Sequence, residues 1–152
     1  MPKIVSDYLE LYVYSRTDRK FLLLKRAPNA SLHPGIWQTI TATTEKNEST
    51  KETLMRELAE ETGLKDARIF VVPRINSYYM VPLDVISLSP VFLTITKNTK
   101  VTISDEHDKF KWVSYKKAIK LIHWVDQEES LRLIKSYLDD KQLFGRLVEI
   151  KV

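Results

Sequence analysis

The chain has no cysteine among its 152 residues. Disulfides, thiolate metal sites and cysteine nucleophiles are excluded, so any metal must be held by oxygen or imidazole ligands. Glycine is scarce, with three in the chain, which leaves few positions free to adopt positive φ without steric cost. Long apolar runs are missing too. No stretch reaches the roughly 18 residues of a membrane-spanning helix. There is no basic tract: the net charge is +4, and the lysines and arginines are spread along the sequence. Such a balance favours anionic ligands in general without singling out nucleic acid. The opening MPKIVSDYLELYVY lacks the basic, apolar, small-residue layout of a secretory leader. These absences set the expectation of a cytoplasmic protein with neither nucleic acid nor membrane as partner.

What is present is an ordinary globular composition, 43% hydrophobic and 29% charged, on a length that suits one domain over residues 1–152 with a sizeable core. Residues 8–14 alternate and are rich in β-formers, and residues 21–25 (FLLLK) form a short apolar run. Both read as strands. Residues 28–35 hold Pro28, Asn29, Pro34 and Gly35 and read as a loop, with a third strand expected over 36–42. Ser49 with Glu52 three residues later predicts a capped helix start, and Gly63 a helix stop. Strands are expected over 67–72, 90–96 and 110–113, with an irregular stretch around 76–88. Helical periodicity covers 115–122 and 127–138, and the terminal LVEIKV reads as a last strand or a tail. This order suggests a mixed sheet with helices on its faces.

The helix after Ser49 carries R-E-L-A-E-E. At about 100° per residue, Glu60 and Glu61 fall within roughly 100° of arc with Glu57, at the margin of the stripe formed by Leu54 and Leu58. Arg56 lies next to Glu60 at i+4 and can pair with it. Three carboxylates packed this closely repel one another unless a positive charge compensates. Hard divalent cations are the usual compensation, and magnesium favours carboxylates, water and phosphate oxygens. A solvated acidic face paired with lysines is the plain alternative.

The wider spacing matches a known pattern. With Glu48, Arg56, Leu58, Gly63 and Leu64, residues 42–64 fit G-x5-E-x7-R-E-U-x-E-E-x-G-U (U aliphatic) at every fixed position but the first, where Ala42 replaces glycine. The sequence thereby resembles the Nudix hydrolases over most of its length. The resemblance implies an α/β/α sandwich with a mixed β-sheet, and hydrolysis of a nucleoside diphosphate linked to another group, dependent on magnesium with manganese as a substitute. Carried over by position, Glu57, Glu60 and Glu61 would hold metal, Arg56 would orient them, and Glu48 would brace the loop or the outer metal shell. The box's first glycine commonly offers its carbonyl to a metal, and Ala42 keeps a carbonyl. Asn47 stands where a second glycine is frequent, and asparagine tolerates positive φ well.

The flanks Lys25-Arg26, W-Q-T-I-T (residues 37–41) and E-H-D-K-F-K-W-V (residues 106–113) are similar to the dihydroneopterin triphosphate pyrophosphatase and dATP pyrophosphohydrolase branch. By that resemblance Arg26 would contact phosphates, Thr41 would line the site, and Glu106 would complete the metal shell or act as general base. Trp37 either stacks on a base or packs beneath the loop, and Tyr79, with Tyr78, can wall a base. His107 is either an outer partner of the carboxylates or a loop-packing histidine. His33 and His123 receive no role, and Trp112 and Trp124 read as packing residues. The expected function is release of pyrophosphate from a nucleoside or pterin triphosphate substrate. The alternatives are a dinucleoside polyphosphate or nucleoside diphosphate sugar substrate, or a non-catalytic nucleotide-binding module. A homodimer is left open.

Overall fold

The structure, a computed structural model, describes residues 1–151. Strands β1 (Lys3–Val5), β2 (Tyr8–Ser15), β3 (Lys20–Arg26), β4 (Trp37–Gln38) and β5 (Ile40–Thr43) precede helix α1 (Thr50–Thr62). Then come β6 (Ala67–Met80), β7 (Val85–Thr96), β8 (His107–Val113), α2 (Tyr115–Leu121), α3 (Val125–Leu138), α4 (Lys141–Phe144) and β9 (Val148–Ile150). The central path of the mixed sheet runs β4-β3-β2-β7-β6-β9, and β2 and β7 are parallel.

Alternation along β2 divides the core. Leu9, Leu11 and Val13 face one side with Leu54 and Leu58 of α1. Tyr12 and Tyr14 face the other with Ala118 of α2 and Leu131 and Ile134 of α3. Helices therefore cover both faces, as the order of strands and helices suggests and as the sandwich implied by the resemblance requires.

Two expectations need correction. Residues 36–42 are not one strand. β4 pairs with β3 and β5 pairs with β2, because β2 and β3 are in register only at Tyr14 and Ser15 and diverge beyond. At the switch, Thr39 Oγ1 donates to the Leu11 carbonyl at 2.6 Å. Residues 76–88 are not irregular either. β6 and β7 continue as a paired hairpin to Met80 and Val85, closed by a 3-10 turn at Val81–Leu83. The pairing slips between Val72 and Ile75, around Pro73 and opposite Pro90, where a missing N–H makes a bulge the natural solution. Beyond it the buried positions are Asn76, Ser87 and Ser89, so no apolar alternation marks the strands. β1 and α4 are additional short elements. The C-terminal segment is a strand, paired with β6.

Candidate active site

Helix α1 is fixed at both ends. Glu52 N–H donates to Ser49 Oγ at 3.3 Å, and Ser49 N–H donates back to Glu52 Oε2 at 2.7 Å, completing the capping box. Gly63 closes the helix at φ 72°, its N–H donating to Ala59 O, a left-handed position that glycine takes at no steric cost.

Arg56 joins this helix to the loop before it. Its Nε donates to Glu48 Oε1 at 2.6 Å and its Nη2 to Glu48 Oε2 at 3.0 Å, a bidentate pair. Nη2 also reaches the Thr43 carbonyl at 2.9 Å, and Nη1 reaches Glu57 at 3.0 Å and Glu60 at 3.3 Å. The guanidinium and the Glu45 backbone N–H hold the Glu48 carboxyl down at about 2. The loop turns at Asn47, where φ is 67°, as its tolerance of that region leads one to expect. Ala42 lies in β5, outside the positive-φ region and fully buried, among the core residues that include Leu54 and Leu58. Its methyl group fills core volume that a glycine would leave empty.

Glu57 projects from mid-helix with its side chain mostly buried. Its Oε1 accepts from Arg56 and, at 3.4 Å, from Thr43 N–H. Burial pushes its carboxyl up, with Arg56 opposing. One turn later Glu61 is 4% exposed. Burial would raise its carboxyl as well, but hydrogen bonds from His107 and Ser104 outweigh that and leave it lowered. Ser104 Oγ donates to Glu61 Oε2 at 2.8 Å, and His107 Nδ1 meets the same oxygen at 2.9 Å. Glu106 comes from the turn just before β8, and ligand atoms of Glu61, Glu106 and His107 lie within 4.8 Å of one another. Glu60 stands apart. It is 57% exposed at the side chain, turned outward and engaged with Arg56.

The donor set suits a hard divalent ion. It is rich in carboxylate oxygens; Ser104 and His107 both meet Glu61 at Oε2, and Arg56 and Thr43 both meet Glu57 at Oε1. One oxygen of each therefore remains for a cation, which would also relieve repulsion between these crowded carboxylates.

Arg26, at the end of β3, is anchored by Nε donating to Leu32 O at 2.8 Å. It shares a cleft of about 360 Å³ with Asn29, Ser31, Asp105 and Glu106. Thr41 is exposed on β5, on the face opposite the Ala42 methyl. Trp37 packs against the core on the α2 side, with Lys111 Nζ 5.0 Å from its ring centre. Tyr79 is exposed at the hairpin, where its hydroxyl donates to Asp84 at 2.7 Å. Arg26 and Glu106 thus meet in one cleft, and Glu106 links it to Glu61. Trp37 is directed into packing, and Tyr79 is tied to its own turn. Ser104 and Gln38 were not singled out by the sequence. Ser104, two residues before Glu106 in a short polar loop, offered a faint signal, and Gln38 only its place in the W-Q-T-I-T flank.

The NUDIX domain family matches residues 11–134. A dihydroneopterin triphosphate diphosphatase of Haemophilus influenzae is 27% identical over 138 residues, 83% of this chain and 83% of that protein. An octanoyltransferase of Myxococcus xanthus is 26% identical over 123 residues, 76% of this chain but 32% of that protein, so the chain spans about a third of that relative's length. Among solved structures, a C. elegans Ap4A hydrolase in a binary complex superposes with a TM-score of 0.74 at 22% identity, covering 89% of this chain and 98% of that one. At that identity the likeness speaks for the fold.

Proposed function

The chain belongs to the Nudix hydrolase family, and on that footing we propose that it is a magnesium-dependent pyrophosphohydrolase, with manganese as a substitute, that converts a nucleoside or pterin triphosphate to the monophosphate and pyrophosphate. The observation that carries this reading is the cleft where Arg26 and Glu106 meet, with a Glu106 oxygen within 4.8 Å of one of Glu61. A polyphosphate held by Arg26 would lie directly against the carboxylates.

Glu57, Glu61 and Glu106 would hold the cation, with Glu60 on the rim and the Ala42 carbonyl as a further oxygen. Once bound, the ion would offset phosphate charge, favour deprotonation of the attacking water and stabilise the leaving oxygen. The chain's own part is positional. Arg56 clamps Glu48 and Glu57 through one guanidinium. Arg26 receives the phosphates, and Thr41 lines the approach. Glu106, the exposed member of the cluster, is placed either to complete the cation's shell or to take the proton of water. The pterin branch is favoured by the Haemophilus relative's activity and by the flanking motifs around Arg26 and Glu106.

A substrate panel tests this. Dihydroneopterin triphosphate, deoxynucleoside triphosphates, a dinucleoside polyphosphate and a nucleoside diphosphate sugar are each incubated with magnesium, and products are separated. The expected result is monophosphate and pyrophosphate in equal amounts from a triphosphate. Turnover confined to the other two substrates would replace the triphosphate assignment. Nucleotide binding with no turnover of any substrate would indicate a binding module.

A further inference from the structure

Glu61 is held from behind by two donors that meet on one of its oxygens. Ser104 Oγ and His107 Nδ1 both reach Oε2, at 2.8 and 2.9 Å. His107 is 3% exposed at the side chain and Glu61 is 6%. On the far side of the ring, His107 Nε2 faces the Gln38 side-chain nitrogen at 3.5 Å. A carboxylate oxygen accepts, so Nδ1 carries the proton. The Gln38 amide sits against the other ring nitrogen and limits how the ring can turn.

The backbone prepares this arrangement. His107 opens β8 opposite Arg26, where the pairing with β3 shifts register. His107 N–H donates to Ser104 O at 3.2 Å, and Ala27 N–H donates to Glu106 O at 2.9 Å. Glu106 lies in the turn just before the strand, and its carboxylate still comes within 4.8 Å of a ring nitrogen of His107. His107 is buried against Glu61, and Glu106 is exposed and lines the cleft.

We propose that His107 is a positioning residue for Glu61: its Nδ1–H and the Ser104 hydroxyl occupy Oε2, fix the carboxylate plane and leave Oε1 as the oxygen offered to a divalent cation, while Gln38 fixes which way the ring faces. This role rests on the metal-dependent reading of the site. It is the outer-shell orientation that metal ligands commonly require, with a histidine serving a carboxylate.

Binding of Mn2+ alone, followed by the electron paramagnetic resonance of the free ion, tests it together with thermal unfolding in chelator. His107→Asn places an amide nitrogen on Cγ where Nδ1 sits and keeps the donor to Glu61. His107→Gln places one where Nε2 sits, and His107→Phe keeps the ring volume with no donor. The Asn variant is expected to bind Mn2+ within about threefold of the wild type, and the Gln and Phe variants about 10–100-fold more weakly. This order should not follow their melting temperatures. A Phe variant that binds as tightly as the wild type overturns the inference, as does loss of affinity in all three in proportion to lost melting temperature. If the position 107 variants do not fold, Ser104→Ala decides, because an unchanged Mn2+ affinity there contradicts the shared-oxygen account. A wild type that does not bind Mn2+ overturns this inference and the metal-dependent function together, whereas wild-type binding with a silent Phe variant overturns this inference alone.

Discussion

Glu10 is a carboxyl placed among core residues. It is 6% exposed on β2, and its Oε2 accepts from Tyr12 at 3.1 Å and from Asn76 at 2.9 Å. Burial pushes its pKa up to about 7. The bonds from Tyr12 and Asn76 offset part of that, Asp126 adds to the rise, and Arg74 opposes it. In the unfolded chain the same group titrates near 4.5, so the folded state holds this proton more tightly. The stability it contributes is complete below that value and is lost as pH climbs through about 7. Glu10→Gln removes the titration. Between pH 5 and pH 8 the variant should gain about 2 kcal/mol relative to the wild type, read by urea unfolding at each pH. An identical difference at both values would show that Glu10 is not perturbed. The alternating segment of β2 gave no hint of this network, since its partners Asn76 and Ser130 are distant in sequence.

At the level of elements, α1 is the part that its own sequence specifies most fully. Both caps are local motifs, and the stripe of Leu54 and Leu58 sets which way the glutamates turn. Ser49→Ala should cost about 1 kcal/mol in urea unfolding, by freeing the first turn beside the Glu48–Arg56 clamp. An unchanged midpoint would mean that the cap contributes nothing. The β6–β7 hairpin is the opposite case. Its far half buries Asn76, Ser87 and Ser89, and its register slips between two prolines, so neither periodicity nor composition announced it. Its order comes from cross-strand pairing, which a single sequence does not display. The site divides along the same line. Glu57 and Glu61 share a face by helical spacing alone. That Ser104 and His107 close on Glu61 depends on how β8 meets β3, which is a matter of tertiary structure.

For the whole molecule, the divergence of β2 and β3 positions the site. It lets β5 cross to β2 and carry Ala42 and the box loop toward α1, while β3 delivers Arg26 and the turn before β8 delivers Glu106 to the same cleft. Among the described residues no helix is long and apolar enough to cross a membrane. The central proposal is that this convergence hydrolyses a triphosphate with the help of a cation held by the glutamates. The most direct measurement is pyrophosphate release from the preferred triphosphate by wild type and Glu61→Gln, with magnesium and with excess chelator, both proteins being matched for melting temperature. The account predicts release by the wild type with magnesium, none with chelator, and a rate at least about 100-fold lower in the variant. Equal rates for the two proteins, or release that persists in chelator, would contradict it.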